Sequence, residues 1–449
     1  MKEVGSLARQ FFIATMGCQM NEYDSDYLGQ LLLEANYSPS IGPTDADFIL
    51  INTCAVRAKA EQKAYSLLGR MLALKKKKPS IVLGMVGCIA QQEGSSLKRR
   101  FPGLDFVLGT QEIGRFQDVL NGLNPDPAER VSIELHDGTQ PPINKPGYFK
   151  GRVKSFISIM EGCNNFCSYC IVPYVRGREV SRPSGEVLEE AEHLVSEGVK
   201  EVTLLGQNVN SYRCPAKEGF NFPSLLKDIN NIEGLARVRF TTSHPKDLSD
   251  DLIGCFARLE KLCPHIHLPV QAGSNRILKL MNRRYTRETY IERVERLREV
   301  CPGIAVTTDM IVGFPGESDE DFDMTLDLLK KIEFDGIFSF RYSDRQRTVA
   351  EKMDHKVDEP IKTERLYRLQ NLQKAITLKK NQALIDREME ILVDGHSKRG
   401  GQLTGRTGGN KVVNFISNKN YIGSIIKVKI KEAFVNSLGG EFLSEIKDK

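Results

Sequence analysis

The chain has 449 residues, 27% of them charged and 40% apolar, and its 63 Lys and Arg against 58 Asp and Glu leave a formal charge of +5. That balance excludes a disordered, collagenous or disulfide-scaffolded chain, and the length suggests about three domains. No apolar run approaches the roughly 18 residues of a membrane span, and the apolar patch at 11–16 is too short for a signal-peptide core, so a soluble cytoplasmic protein is expected.

The N-terminal third alternates short apolar runs with amphipathic stretches. Strands are expected at 11–15, 48–52 and 81–86, and helices at 23–35, 57–73 and 91–100. Continuous apolar strands separated by helices predict a parallel sheet covered on both faces, an α/β domain over 1–125. A cysteine follows each strand: Cys18, Cys54 and Cys88. Taken singly, each would read as a small buried residue at a tight turn. Three in one register, delivered to the carboxyl edge where open sheets collect ligands, point to a shared centre. Zinc would need a fourth protein ligand or a water, and no histidine precedes His136. An iron–sulfur cluster with three thiolates and one open iron suits the set better.

Residues 126–150, rich in Pro, Gly, Asn and Asp, read as a linker with an edge strand at 131–135. A second α/β series follows over 151–361. Its strands are expected at 156–160, 201–205, 238–242, 266–269, 305–311 and 337–342, and its helices at 186–196, 224–230, 250–259, 287–300 and 319–331. Six β/α units predict a partial barrel with its site at the carboxyl strand ends. After the first strand comes Cys163-Asn-Asn-Phe-Cys167-Ser-Tyr-Cys170. Structural zinc prefers two CxxC-like pairs, whereas this spacing wraps one corner of a cubane and leaves an iron unligated. Cys214, Cys255, Cys263 and Cys301 lack ligand spacing and read as inert; His265 and His267, alternating on one strand, read as a hydrogen-bonded interior pair.

Residues 362–384 read as a linking helix. Beyond it, at 385–449, short β runs at 391–393, 412–416 and 425–430 are broken by glycines, as in a small twisted barrel. Residues 395–431 carry eight Lys or Arg and no acid, interleaved with Phe415 and Tyr421. That pattern predicts a backbone-tracking, base-stacking RNA surface with Lys398, Arg399, Arg406, Lys411 and Phe415 as contacts.

CxxxCxYC after the first barrel strand resembles the radical S-adenosylmethionine enzymes. The wider set of GCQMNEYDS (17–25), INTCAVR (51–57), CNNFCSYCIVPYVRGREVSRP (163–183), LLGQNVNSY (204–212), SHP (243–245), LPVQAGSNRILKLMNR (268–283) and GQLTGRT (401–407) resembles the tRNA methylthiotransferases over essentially the whole chain. The resemblance implies three parts: a three-cysteine sheet domain, a partial (β/α)6 radical S-adenosylmethionine barrel and a TRAM-type, OB-like barrel. It implies two [4Fe–4S] clusters, one on Cys18, Cys54 and Cys88 supplying sulfur, the other on Cys163, Cys167 and Cys170 cleaving S-adenosylmethionine to a 5′-deoxyadenosyl radical. The loops at Gln207, Ser243, Gln271 and Gly313 are then expected to hold S-adenosylmethionine. The implied substrate is isopentenyladenosine beside the anticodon of tRNA, methylthiolated at C2, with a flavodoxin or ferredoxin as electron donor and a monomeric chain. The relatives acting on threonylcarbamoyl-adenosine, or on an aspartate of a ribosomal protein, usually differ at 17–25 and 204–212. One departure is residues 342–350, where the family more often has Pro-Gly after the Arg; a non-catalytic iron–sulfur RNA sensor is the reading from another class.

Overall fold

The computed structural model describes residues 9–55, 58–122, 130–136, 138–139, 144–398 and 400–446. The expected helix start at Arg57, most of the linker's beginning and the expected RNA contact Arg399 lie outside the described residues. The chain divides into two compact units. The first comprises Met1–Tyr148, Met160–Phe166 and Cys170–Arg182; the second comprises Phe149–Ile159, Cys167–Tyr169 and Pro183–Lys449.

In the first unit a parallel sheet runs in the order Ser38–Pro39, Gln10–Thr15, Phe48–Thr53, Val82–Gly87, Phe106–Leu108, Val131–Ser132. Strand alternation splits its core in two. Ile49, Ile51, Leu83 and Met85 pack with Leu67, Leu68 and Met71 of the helix Ala58–Lys77. Phe48, Leu50 and Phe106 pack with Tyr27, Leu28, Leu31 and Leu32 of the helix Gln19–Glu34. Each fully buried Leu, Ile or Phe contributes about 1.5–3 kcal/mol, so both faces are held firmly.

Three expectations are corrected here. The helix placed at 91–100 is two short helices, Cys88–Glu93 and Ser95–Arg100, broken at Gly94, whose φ is +48° and where a Cβ would lie 2.5 Å from Ile133 Cδ1. The short strands Ser38–Pro39 and Phe106–Leu108 were not expected. The later part of the expected linker is folded onto the first helix, with Lys145 N donating to Gln30 Oε1 at 3.0 Å and Tyr148 Oη to Asp26 Oδ1 at 3.1 Å.

In the second unit, two three-stranded parallel sheets have the orders Arg237–Thr241, Glu201–Leu205, Lys154–Ser158 and His265–His267, Ala305–Val312, Gly336–Arg341. Val238 joins them, donating to Lys261 O at 2.7 Å and accepting from Cys263 N at 2.9 Å, which makes one open six-stranded barrel. Along Ala305–Val312, Val306, Thr308, Met310 and Val312 are buried while Thr307, Asp309 and Ile311 are half-buried, the alternation of a strand whose two faces differ. The helix Glu359–Gln382 lies against this barrel, with Arg365 Nη1 on Glu317 Oε1 at 2.8 Å and Gln373 Nε2 on Phe334 O at 2.8 Å.

The C-terminal strands close a five-stranded barrel in the order Glu388–His396, Leu403–Thr407, Val412–Phe415, Leu438–Ile446, Ile425–Ala433. Two of these strands, Leu403–Thr407 and Leu438–Ile446, went unread in the sequence. The small barrel is tied to the amino ends of the large barrel's strands. Arg237 donates to Arg406 O at 2.6 Å, and Arg239 donates to Thr407 O and Gly408 O at 2.8 Å each.

Candidate active site

In the first unit the local sequence brings the three strand-end cysteines together. Cys18 caps the helix Gln19–Glu34 in an extended conformation, Cys54 follows Thr53 directly, and Cys88 opens the next helix after Gly87. Gly17, at φ +123°, makes the approach possible, because a Cβ there would lie 2.2 Å from Cys54 Cβ. A buried amide pair fixes the register. Asn21 Nδ2 donates to Asn52 Oδ1 at 2.8 Å and Thr53 O at 2.9 Å, and Asn52 Nδ2 returns to Asn21 O at 2.9 Å. Thr53 Oγ1 donates to Val86 O at 2.7 Å and accepts from Ile89 N at 3.3 Å, linking the second cysteine's turn to the third's.

Cys54 and Cys88 are 1% and 2% exposed. The hydrogen bond from Cys54 and the charge of Arg176 bring the Cys18 thiol down to about 6, against the opposing effect of burial, whereas burial pushes Cys88 up. Arg176, 3% exposed, donates through Nη2 to Asp24 Oδ2 at 2.7 Å; its Nη1 is buried without a hydrogen-bond partner. Among the described residues no three His, Cys, Asp or Glu side chains are arranged around a single metal ion. A cubane takes one thiolate per iron and makes no such demand. A lowered Cys18 thiol, two further buried thiols and the charge of Arg176 acting on them fit an anionic thiolate cluster. The Asp24–Arg176 pair was not read in the sequence, its members standing 152 residues apart.

Cys163, Cys167 and Cys170 lie on the segment between the strand Met160–Glu161 and the helix Val172–Val175. Cys163 N donates to Gly177 O at 3.2 Å, and Gly162, at φ +73°, leaves room for Arg178 O, 1.9 Å from where a Cβ would sit. In the second unit Cys167 Sγ accepts from Arg283 Nη1 at 3.2 Å. Ser168 there receives a bond from Ala350 N at 2.7 Å, so the departing loop at 342–350 rests on a residue between Cys167 and Cys170.

The carboxyl ends of the strands Glu201–Leu205 and Arg237–Thr241 carry a group of buried polar atoms without hydrogen-bond partners: Gln207 Oε1, Asn210 Oδ1, Ser243 Oγ and His244 Nε2. Orphaned buried polar atoms are costly alone and fit a polar ligand. His244 accepts from Lys246 N through Nδ1 at 3.3 Å, and burial, with the charges of Arg283 and Lys246, pushes it down to about 2, so it is neutral. It was named in the sequence only as part of a loop. Gln271, 7% exposed at φ +74°, is bonded through both backbone groups, to Asp309 O and Ile311 N, each at 2.9 Å. At Gly313 the space where a Cβ would be is taken by Lys362 Cγ at 2.3 Å, so the glycine admits the helix Glu359–Gln382.

The expected RNA contacts divide. Lys398 is exposed. Arg406 Nη1 is held by Asn410 O and Oδ1 at 3.3 and 3.1 Å, and Lys411 Nζ by Asn381 Oδ1 at 2.8 Å and Asp335 at 3.3 Å, which makes Lys411 an anchor to the linking helix. Phe415 is corrected as a base-stacking residue: it is 1% exposed among Ile391, Val413 and Ile426 in the small barrel's core. Lys427, Lys429 and Lys431 pair with Glu388, Asp386 and Glu441 from outside or beside the acid-free stretch. Tyr421 stacks on Phe442 at 4.8 Å. His265 and His267 share Thr307 Oγ1 at 3.3 and 3.1 Å, as the interior-pair reading expects.

Residues 157–329 match the Radical SAM superfamily, 10–109 the Uncharacterized protein family UPF0004, and 382–443 the TRAM domain. Proteins named tRNA-2-methylthio-N(6)-dimethylallyladenosine synthase are similar over nearly the full length. The one from Syntrophus aciditrophicus is 51% identical, covering 99% of this chain and 97% of its own. That from Syntrophobacter fumaroxidans is 49% identical over 97% of this chain and 96% of its own. Among solved structures, the cobalamin-bound radical S-adenosylmethionine methyltransferase TsrM from Kitasatospora setae shares the fold, with a TM-score of 0.57, 13% identity and 77% of each chain covered. Matching over nearly its whole length at this identity, the chain belongs to the tRNA-2-methylthio-N(6)-dimethylallyladenosine synthase family of radical S-adenosylmethionine enzymes.

Proposed function

We propose that this protein is a methylthiotransferase that places a methylthio group on C2 of N6-isopentenyladenosine beside the anticodon of tRNA, consuming two S-adenosylmethionine molecules. The observation that carries the reading is the convergence of Cys18, Cys54 and Cys88, 36 and 34 residues apart in sequence, in addition to the separate set at Cys163, Cys167 and Cys170. One such set suffices to cleave S-adenosylmethionine; a second has a use when a further atom is to be transferred. When bound, the two clusters supply the electron that cleaves one S-adenosylmethionine and the sulfur that is methylated by the other.

The chain's own residues hold and position. Cys18, Cys54 and Cys88 are the ligands assigned to the sulfur-bearing cluster, and the Asn21–Asn52 amide pair sets their spacing. Arg176, fixed by Asp24, offsets the negative charge that three thiolates bring into a buried site. Gln207, Asn210, Ser243 and neutral His244 are assigned to the polar groups of S-adenosylmethionine, whose binding would satisfy their bare atoms. Gln271 is held through its backbone against the strand Ala305–Val312. For tRNA, Lys398 and the segment around it remain the proposed contacts on the small barrel. A low-potential protein such as flavodoxin or ferredoxin is the proposed reductant, and the chain is proposed to act as a monomer in the cytoplasm. Among the described residues no helix is long and apolar enough to cross a membrane.

The test is stoichiometry under anaerobic turnover with isopentenylated tRNA. One S-adenosylhomocysteine and one 5′-deoxyadenosine per methylthio group are expected. Product formed with 5′-deoxyadenosine alone would refute the use of a second S-adenosylmethionine as methyl donor.

A further inference from the structure

Resting on the assignment of Cys163, Cys167 and Cys170 to a cluster, we infer that Arg283 is a positioning residue that sets that cluster's reduction potential, as a charge partner and N–H···S donor to Cys167. Arg283 is 4% exposed. Its Nη2 donates to Pro269 O at 2.7 Å and its Nε to Tyr285 Oη at 3.0 Å, and Tyr285 Oη in turn donates to Val270 O at 2.8 Å. These bonds fix the guanidinium plane to the carboxyl end of a barrel strand. They leave Nη1 for Cys167 Sγ at 3.2 Å, with Tyr169 Oη at 3.4 Å.

Several other buried arginines have a carboxylate at hand. Arg176 has Asp24, Arg239 has Glu201 and Arg365 has Glu317 within 2.9 Å. Arg283 has no carboxylate among its partners in the described residues: two tyrosine hydroxyls and a carbonyl surround it, and Cys167 is the one partner that becomes an anion. A guanidinium stays protonated under all ordinary conditions, and a buried cation without a counter-charge is strongly disfavoured. A metal-bound Cys167 thiolate removes that penalty. The dependence runs both ways, because hydrogen bonds to cluster sulfurs and nearby positive charge favour the more negative, reduced state. Neutral His244, whose ring lies 5.6 Å from that of Tyr285, adds no competing charge. Arg283 thereby makes the cluster easier to reduce before S-adenosylmethionine arrives.

The experiment uses the full chain carrying Cys18→Ala, Cys54→Ala and Cys88→Ala, which leaves one cluster, titrated by redox-poised EPR without S-adenosylmethionine. In this background Arg283→Gln is expected to lower the reduced-to-oxidised ratio at fixed poise at least tenfold, equivalent to about 59 mV for a one-electron couple. Arg283→Lys, which keeps charge but loses the fork, is expected to fall between. Midpoints unchanged in both variants would overturn the inference while leaving the cluster assignment intact; a parent without any cluster would overturn both. Should Arg283→Gln fail to hold iron, pulsed EPR on the reduced Cys18→Ala, Cys54→Ala, Cys88→Ala chain with Arg283 intact, labelled with 15N-arginine, decides. A 15N coupling to the Cys167-bound cluster is expected, and its absence overturns the inference.

Discussion

Gly17→Ala adds one methyl group at the point where the first two cysteines of the N-terminal set approach each other. Its Cβ would lie 2.2 Å from Cys54 Cβ and 2.9 Å from Cys54 Sγ, whereas ordinary contact starts near 3.4 Å, so the turns must part by about 1.2 Å. The φ of +123° adds strain of about 1–3 kcal/mol for a residue with a side chain. A displacement near 1 Å in a preorganised site costs on the order of 100-fold in rate. The variant is therefore expected to lose methylthio product by about that factor, together with half of its iron. It should still release 5′-deoxyadenosine from S-adenosylmethionine, because the second cysteine set is untouched. Gly42→Ala, with nothing within 4 Å of the added carbon, is the control and should behave as the parent. The assay is iron per chain, 5′-deoxyadenosine by chromatography and methylthio nucleoside by mass spectrometry on one anaerobic sample. Full iron and full product in Gly17→Ala would refute the convergence of Cys18 and Cys54 as ligands of one centre.

The same separation should appear at the ligands themselves: Cys54→Ala spares 5′-deoxyadenosine and loses product, whereas Cys163→Ala loses both, and full product from Cys54→Ala would contradict the division of labour. Phe415→Ala is expected to destabilise the small barrel by about 3–5 kcal/mol, read by hydrogen exchange of the strand Val412–Phe415, since it removes core rather than a stacking platform. Lys398→Ala should instead leave exchange unchanged and flatten the log–log salt dependence of tRNA binding by about 0.7. Burial, with Arg239 and His267 adding to it, pushes His265 down to about 3. The unfolded chain takes up this proton first, near the usual imidazole value of about 6.5. Stability from this group is thus complete above that value and declines as pH falls, by about 2 kcal/mol at pH 5. His265→Gln should flatten the denaturation midpoint across that window, and an unchanged slope would refute the assignment.

The parts written locally in the chain were legible. Phe48–Thr53 and Glu201–Leu205 announce themselves as apolar runs bounded by polar turns, and the strand-then-cysteine register recurs three times within the first 88 residues. What escaped depends on partners distant in sequence. Arg283 meets Cys167 across 116 residues, and nothing near either one signals the other. The close approach of Lys362, from a later helix, to Gly313 is equally invisible from the residues around either one. Phe415 was misread because its basic neighbours suggested an exposed face. The period-2 pattern of Val412–Phe415 puts Val413 and Phe415 on the inner side, and taking that pattern ahead of charge would have placed the ring correctly. The acid-free stretch at 395–431 is likewise neutralised in part by Glu388, Asp386 and Glu441, which lie outside it in sequence.

The central claim is a methylthio transfer to isopentenyladenosine in tRNA. Its most direct test is mass spectrometry of nucleosides after anaerobic incubation of the reduced protein with S-adenosylmethionine and an equal mixture of two tRNAs, one carrying isopentenyladenosine and the other threonylcarbamoyl-adenosine. A methylthio group on isopentenyladenosine alone is predicted. A methylthio group on threonylcarbamoyl-adenosine alone, or 5′-deoxyadenosine released with neither nucleoside changed, would contradict it.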